Sequence, residues 1–303
     1  MTPVVDDELL IQGNALPVYG RGNQSSEKIA IILLANSPSE LDAPFKSVIK
    51  IFLNNIYSGL NRKIDVVVAT KVRDEEREEY FTRFNRMFEG RVGGLNVSTV
   101  VEDGLLGKTL ASAIGKTDAE HLAFLTPEFV IDRESMSRGL LNAFGSFMDF
   151  GVVFVKGHYG ITSPVALGSG INPVSQAPYV SVPLDITSFG GIRKYEEYFP
   201  FRHLSTIRVK RSVLIDDLDF ISKFEAGIDV ALGAVAIHRG VGIKTTPIPF
   251  VNMLLTPPAP DIGRLKDELL IVQEYFPKSS VSSNDRYSAY LQGVEKCIEN
   301  GEY

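Results

Sequence analysis

The run Lys28-Ile-Ala-Ile-Ile-Leu-Leu-Ala35 constrains this chain more than any other segment. A half-buried strand alternates apolar and polar residues, and this one has no polar member after Lys28. Both of its faces must therefore be covered, as in the interior of a parallel sheet. Lys63-Ile-Asp-Val-Val-Val-Ala69 repeats the pattern. Between the two, Asn36-Ser-Pro-Ser-Glu40 reads as a loop, Asp42 as an N-cap and Pro44 as a first-turn residue. Phe45, Val48, Ile49, Phe52, Leu53 and Ile56 then share one helical face. Strand, helix and strand in this order predict an α/β fold: a mostly parallel twisted sheet with helices on both faces.

The alternation continues. Residues 73–91 read as an amphipathic helix with Tyr80, Phe81, Phe84, Met87 and Phe88 as its stripe. Residues 97–101 read as a strand, 102–107 as a loop and 108–114 as a helix. A strand over 121–125 ends at Thr126-Pro-Glu128, and a helix over 134–148 and a strand over 151–156 follow. The region 157–191 is rich in Gly, Pro and Ser and reads as long loops rather than packed elements. Strands over 205–210 and 243–250 flank a helix over 229–238. Pro257-Pro-Ala-Pro260 precedes a helical tail, and residues 1–27 read as an arm or linker. The expected divisions are 1–27, 28–156, 157–256 and 257–303.

Composition narrows the function classes. An apolar share of 44% with 22% charged residues builds a packed core and excludes a largely disordered chain. A net charge of −6 argues against coating nucleic acid through bulk charge. The single cysteine, Cys297, forms no internal disulfide and belongs to no Cys/His zinc cluster, which fits a reducing compartment. Asp6, Asp7 and Glu8 stand where a signal peptide carries basic residues. The longest apolar runs fall far short of the roughly 18 residues that span a bilayer. A soluble, cytoplasmic protein with no transmembrane segment is expected.

Two near-matches to a phosphate loop fail on spacing. Gly104-Leu-Leu-Gly-Lys-Thr109 needs a glycine where Glu102 stands, and Gly115-Lys-Thr117 needs one at Leu110. No GxGxxG follows a strand either.

The order of the remaining segments is more informative. A strand ends in the Asn36-Ser-Pro loop. Gly107-Lys108 and Ala111-Ser-Ala-Ile114 come next, then Asp118-Ala-Glu-His-Leu-Ala-Phe-Leu-Thr-Pro-Glu128. Downstream lie Leu204-Ser-Thr-Ile-Arg-Val-Lys-Arg211, Phe224-Glu-Ala-Gly-Ile-Asp-Val-Ala-Leu-Gly233 and Gly240-Val-Gly-Ile-Lys244. Over about residues 28–250 this order resembles the GT-A fold glycosyltransferases of family 2. The resemblance implies transfer of a sugar from a nucleotide-diphosphate donor, a UDP-sugar foremost, to an acceptor hydroxyl with inversion. It makes 28–156 the nucleotide-sugar half and 157–256 the acceptor and catalytic half. It places Ala35, Asn36, Ser37, Thr70, Lys71, Lys108 and Thr126 at the nucleotide. The family's Asp-x-Asp is degraded to Thr126-Pro-Glu128, leaving Glu128 as the candidate ligand of a divalent cation, Mn or Mg. Asp229 stands at the family's general base, with Ile228 replacing the glutamate expected before it.

Each of these residues also has a plainer reading. Glu128 could cap the following element or stand solvated, and Asp229 could be a first-turn acid favoured by the helix dipole. The basic and aromatic stretch 193–211 is a candidate acceptor face, whether for saccharide, protein, lipid or nucleic acid, or else a solvated surface. His158 is a candidate for the acceptor cleft or a structural histidine. His121 reads as packing, and His238 as a helix-end residue. Two further functions stay open: a catalytically inactive binding or scaffold protein on the same fold, and a nucleotidyltransferase. The second lacks the Gly-rich, Arg-containing first loop of such enzymes.

Overall fold

A computed structural model describes residues 28–57, 59, 62–88, 94–131, 150–156, 164–171, 178–185, 204–239, 241, 243–253, 262–275, 296, 298 and 299. The expected N-terminal arm, the helix over 134–148, His158, residues 193–203 of the 193–211 stretch and the 257–260 prolines lie outside the described residues.

The first half alternates as expected. Strand β1 (Lys28–Ala35) leads through α1 (Asp42–Tyr57) to β2 (Lys63–Thr70), and α2 (Glu75–Phe88) leads to β3 (Leu95–Val101). Helix α3 (Leu106–Lys116) precedes β4 (His121–Leu125) and the short β5 (Phe129–Val130). Strands β6 (Phe150–Lys156), β7 (Pro164–Ile171), β8 (Pro178–Asp185) and β9 (Ile207–Lys210) follow. Helix α4 (Ile228–His238), β10 (Ile243–Met253) and α5 (Ile262–Tyr275) end the described order.

The sheet runs β3-β2-β1-β4-β9-β6-β10-β5, with the β7–β8 hairpin attached to β6. Strands β1 and β2 are interior, as their two-sided apolar character requires. Strands β3, β2, β1 and β4 are mutually parallel. Strand β9 is antiparallel to both β4 and β6, so β6 points the same way as β4, and β10 is parallel to β6. The carboxyl ends of β1, β2, β3, β4, β6 and β10 therefore share one edge of the sheet.

Alternation along β1 divides the core. Ile29, Ile31, Leu33 and Ala35 pack with Phe45, Val48 and Phe52 of α1 and Phe81 and Phe84 of α2. Ala30, Ile32 and Leu34 face Leu110, Ala113 and Ile114 of α3 and the apolar residues of α4. Helix α4, IDVALGAVAIH, is apolar all round, the pattern of a helix enclosed on every side. Its described apolar residues are buried.

The structure corrects four local readings. The Asn36–Glu40 loop contains a 3-10 turn, Pro38–Leu41, capped by the Ser37 hydroxyl. That turn runs straight into α1, so Asp42 is already helical and does not cap; its carboxylate pairs with Arg77 at 2.7 Å. Helix α2 begins at Glu75 because Asp74 Oδ1 accepts the Arg77 backbone N–H, 3.1 Å away, as an N-cap does. The 157–191 region holds a hairpin where loops were expected. In it β7 and β8 each open on a proline, whose missing N–H is tolerated at the first strand position, and the register slips between Gly168 and Gly170. Among the described residues, no helix is long and apolar enough to cross a membrane.

Candidate functional site at the carboxyl edge of the sheet

Parallel strands deliver their following loops to one edge, and that crevice is where open α/β sheets bind ligands. Here the loops are tied to one another through the backbone. The Asn36 carbonyl, just past β1, accepts from Lys71 N at 3.1 Å and Val72 N at 3.3 Å, just past β2. The Thr70 carbonyl accepts from Glu102 N at 3.1 Å, just past β3. Ala35, Asn36, Thr70 and Lys71 are thus brought together, with Ala35 and Thr70 buried and Asn36 exposed. Thr70 Oγ1 donates to the Val72 carbonyl at 2.9 Å, and Ser37 Oγ caps its own turn, so both hydroxyls already serve the loops.

The two candidate cations are each held by an acid. Lys71 Nζ lies 2.5 Å from Glu225 Oε1, and Glu225 Oε2 accepts the Leu106 N–H at 2.6 Å. Glu225 thereby joins the end of β2 to the first turn of α3. Lys108 Nζ lies 3.2 Å from Glu102 Oε2, and Ser112 Oγ donates to Glu102 Oε1 at 3.1 Å. Hydrogen bonds from Lys108 and Ser112, with the charge of Lys108, hold the Glu102 carboxyl below its ordinary range. Gly107 is second in α3 for a steric reason. A Cβ there would stand 2.2 Å from the Ile221 carbonyl oxygen and 2.5 Å from that of Phe224, which accepts the Gly107 N–H at 2.8 Å.

Past β4, Thr126 is buried. Its N–H donates to Ser205 Oγ at 3.0 Å, and the two hydroxyls also stand 3.0 Å apart. Glu128 is half-buried in the turn closed by Phe129 N–H to the Thr126 carbonyl, 3.0 Å. Among the described residues, no group of three His, Cys, Asp or Glu side chains is placed to hold a metal ion. Glu128 offers one carboxylate, so this donor set does not fit a protein-held metal centre.

Asp229 lies in the first turn of α4, 5% exposed, and Arg264 Nη2 of α5 donates to its Oδ2 at 2.9 Å. Its neighbours Ile228 and Val230 belong to the α3/α4 side of the core, whereas Phe129 beside Glu128 belongs to the α1/α2 side. Among the described residues, no hydrogen bond or ion pair joins Asp229 to Glu128. His121 is buried in β4, and His238 ends α4 exposed.

Sequence reasoning missed Glu102, Glu225, Arg264 and Asp267 as parts of this edge. For α5 a signal existed: Arg264 and Asp267 are three apart on one helical face, and both contact the 225–229 segment. For Glu225 none did, because its partner is 154 positions away.

No family model and no curated protein matches this sequence. Solved structures do match in shape. The crystal structure of S. aureus TarS 1–349 in complex with UDP-GlcNAc superposes over 90% of this chain and 73% of its own, with a TM-score of 0.55 at 11% identity. The complex of the same protein with UDP covers 90% of this chain and 72% of its own, with a TM-score of 0.53 at 11% identity. The longer S. aureus TarS structure is covered over 43% of its length, with a TM-score of 0.53 at 12% identity. At these identities the likeness is one of architecture, and this chain has a glycosyltransferase-like α/β fold.

Proposed function

We propose that the chain binds a nucleotide-diphosphate sugar, a UDP-sugar foremost, at the carboxyl edge of β1, β2 and β4 and transfers the sugar to an acceptor hydroxyl. The observation carrying this reading is the tied loop cluster around Asn36, Thr70 and Lys71, on a fold whose solved likenesses include complexes with UDP and UDP-GlcNAc. In the reaction, the acceptor oxygen attacks the anomeric carbon in line with the bond to the diphosphate oxygen. That bond breaks, the nucleoside diphosphate leaves with the electron pair, and the configuration inverts. Asp229 takes the acceptor proton, which requires its carboxylate to part from Arg264 and reach the cleft. Glu128 lies at the diphosphate, where one carboxylate with phosphate oxygens and water could share a divalent ion. No step depends on that ion.

A second reading has its own support. Asp229 is buried and paired, which suits an anchor between α4 and α5 as well as a base. The chain would then bind the donor without transferring it. Calorimetric titration of the full chain with UDP and UDP-GlcNAc, with and without Mn²⁺, tests the site. Binding weakened by Glu128→Gln only when Mn²⁺ is present supports the role given to Glu128. No heat from either nucleotide overturns the donor site. Binding without turnover of the sugar nucleotide, across a panel of hydroxyl acceptors, favours the second reading.

A further inference from the structure

Helix α5 is fastened to the segment before α4 by one carboxylate and one guanidinium. Asp267 Oδ2 accepts three successive backbone N–H groups: Glu225 at 3.0 Å, Ala226 at 2.8 Å and Gly227 at 3.0 Å. Arg264, one turn earlier in α5, donates to the Ala226 carbonyl at 3.0 Å and to Asp229. Gly227 approaches so closely that an added Cβ would stand 2.7 Å from Asp267 Cβ. Successive N–H groups converge on one oxygen only when the backbone curls into a concave arc. Asp267 therefore fixes the direction in which the Glu225 side chain leaves the chain.

That direction has chemical content. Glu225 spends one oxygen on Lys71 and the other on the Leu106 N–H. The Leu106 N–H is used up and one of the three Lys71 N–H donors is engaged, and what Glu225 adds to this corner is an acceptor. A carboxylate has about four lone-pair positions, of which these bonds use two. The Glu225 side chain is 44% exposed, which leaves it accessible to a further donor. Phosphate oxygens are themselves acceptors and gain nothing from it. The N–H and O–H groups of a nucleoside do.

We propose that Asp267 is a positioning residue of the donor site, holding Glu225 where its carboxylate accepts hydrogen bonds from the nucleoside part of the donor. This rests on the nucleotide-sugar reading above. The test is calorimetry of the full chain with UDP and, separately, inorganic pyrophosphate. Glu225→Gln lowers UDP affinity about tenfold, the scale of a hydrogen bond to a charged group, and leaves pyrophosphate binding unchanged. Asp267→Asn produces the same loss for UDP, and the double variant is no weaker than Glu225→Gln alone. Glu274→Gln, which breaks the exposed 3.2 Å contact of α5 with Lys223, leaves UDP affinity intact. Amide exchange at Leu106 reports the same geometry without ligand and quickens in both Glu225→Gln and Asp267→Asn.

Additive losses in the double variant, or an unchanged Leu106 amide in Asp267→Asn, overturn the positioning role. UDP affinity kept or raised in Glu225→Gln overturns the nucleoside contact, a rise marking the carboxylate as a competitor of phosphate. If the parent chain binds UDP in these cases, the proposed function survives. A parent chain that binds no UDP overturns both.

Discussion

Replacing Asp229 by Asn tests what that carboxylate does, because anchor and base leave different traces. Its side chain is 6% exposed and that of Arg264 13%, so the pair is largely out of water. Removing one charge of such a pair strands the other, at a cost of about 3–5 kcal/mol. Arg264 keeps its bond to the Ala226 carbonyl, which places the loss at the lower end, about 3 kcal/mol. In a chain of 303 residues, at about 2.1 cal/mol/K of unfolding entropy per residue, that lowers the melting temperature by about 5 °C, measurable by differential scanning calorimetry. Asp229→Leu with Arg264→Met removes both charges and recovers most of the loss, since apolar replacements of a buried pair are often neutral. If Asp229 is also the base, the double variant melts like the parent yet turns over about a hundred- to ten-thousand-fold more slowly. An Asp229→Asn variant melting within a degree of the parent would refute the anchoring argument.

Gly107→Ala is expected to destabilise by at least the roughly 1–3 kcal/mol of an overpacked core. Both atoms its Cβ would meet are backbone carbonyl oxygens that cannot swing aside, and urea unfolding reads the shift. The Glu102 carboxyl is held low by Lys108 and Ser112, so its contribution to stability is complete above the ordinary carboxylate range and is lost as pH falls through the lowered value. An NMR titration should find Glu102 lower in the parent than in Lys108→Met, and equal values would remove the pair.

How far the chain could be read from its letters depended on where each signal was stored. Strands β1 and β4 match their sequence reading to the residue, because two-sided burial demands an unbroken apolar run. The β7–β8 hairpin was illegible, since its glycines and prolines carry the composition of a loop while its pairing comes from β6. At the candidate site, the family resemblance pointed to Asn36, Thr70 and Lys71, and the structure brings them together at the ends of β1 and β2. What those residues touch was not legible. The Lys71 partner is 154 positions away, and the acid that orients that partner lies in a helix 42 positions further on. Motif spacing located Asp229 at a helix start and was silent about Arg264.

Strand β9 has a consequence for any attempt to divide the protein. Its residues, Ile207–Lys210, come long after β4 and β6 in sequence, yet it lies between them and pairs with both. A fragment ending at residue 156 would contain β4 with its outer rim of N–H and C=O groups open, and the same groups of β6 left without their β9 partners. Open strand rims recruit other chains. The two halves are therefore not modules that can be expressed apart. A nascent chain carries that sticky rim until Lys210 has left the ribosome, which makes the interval between β6 and β9 the one most exposed to aggregation during synthesis.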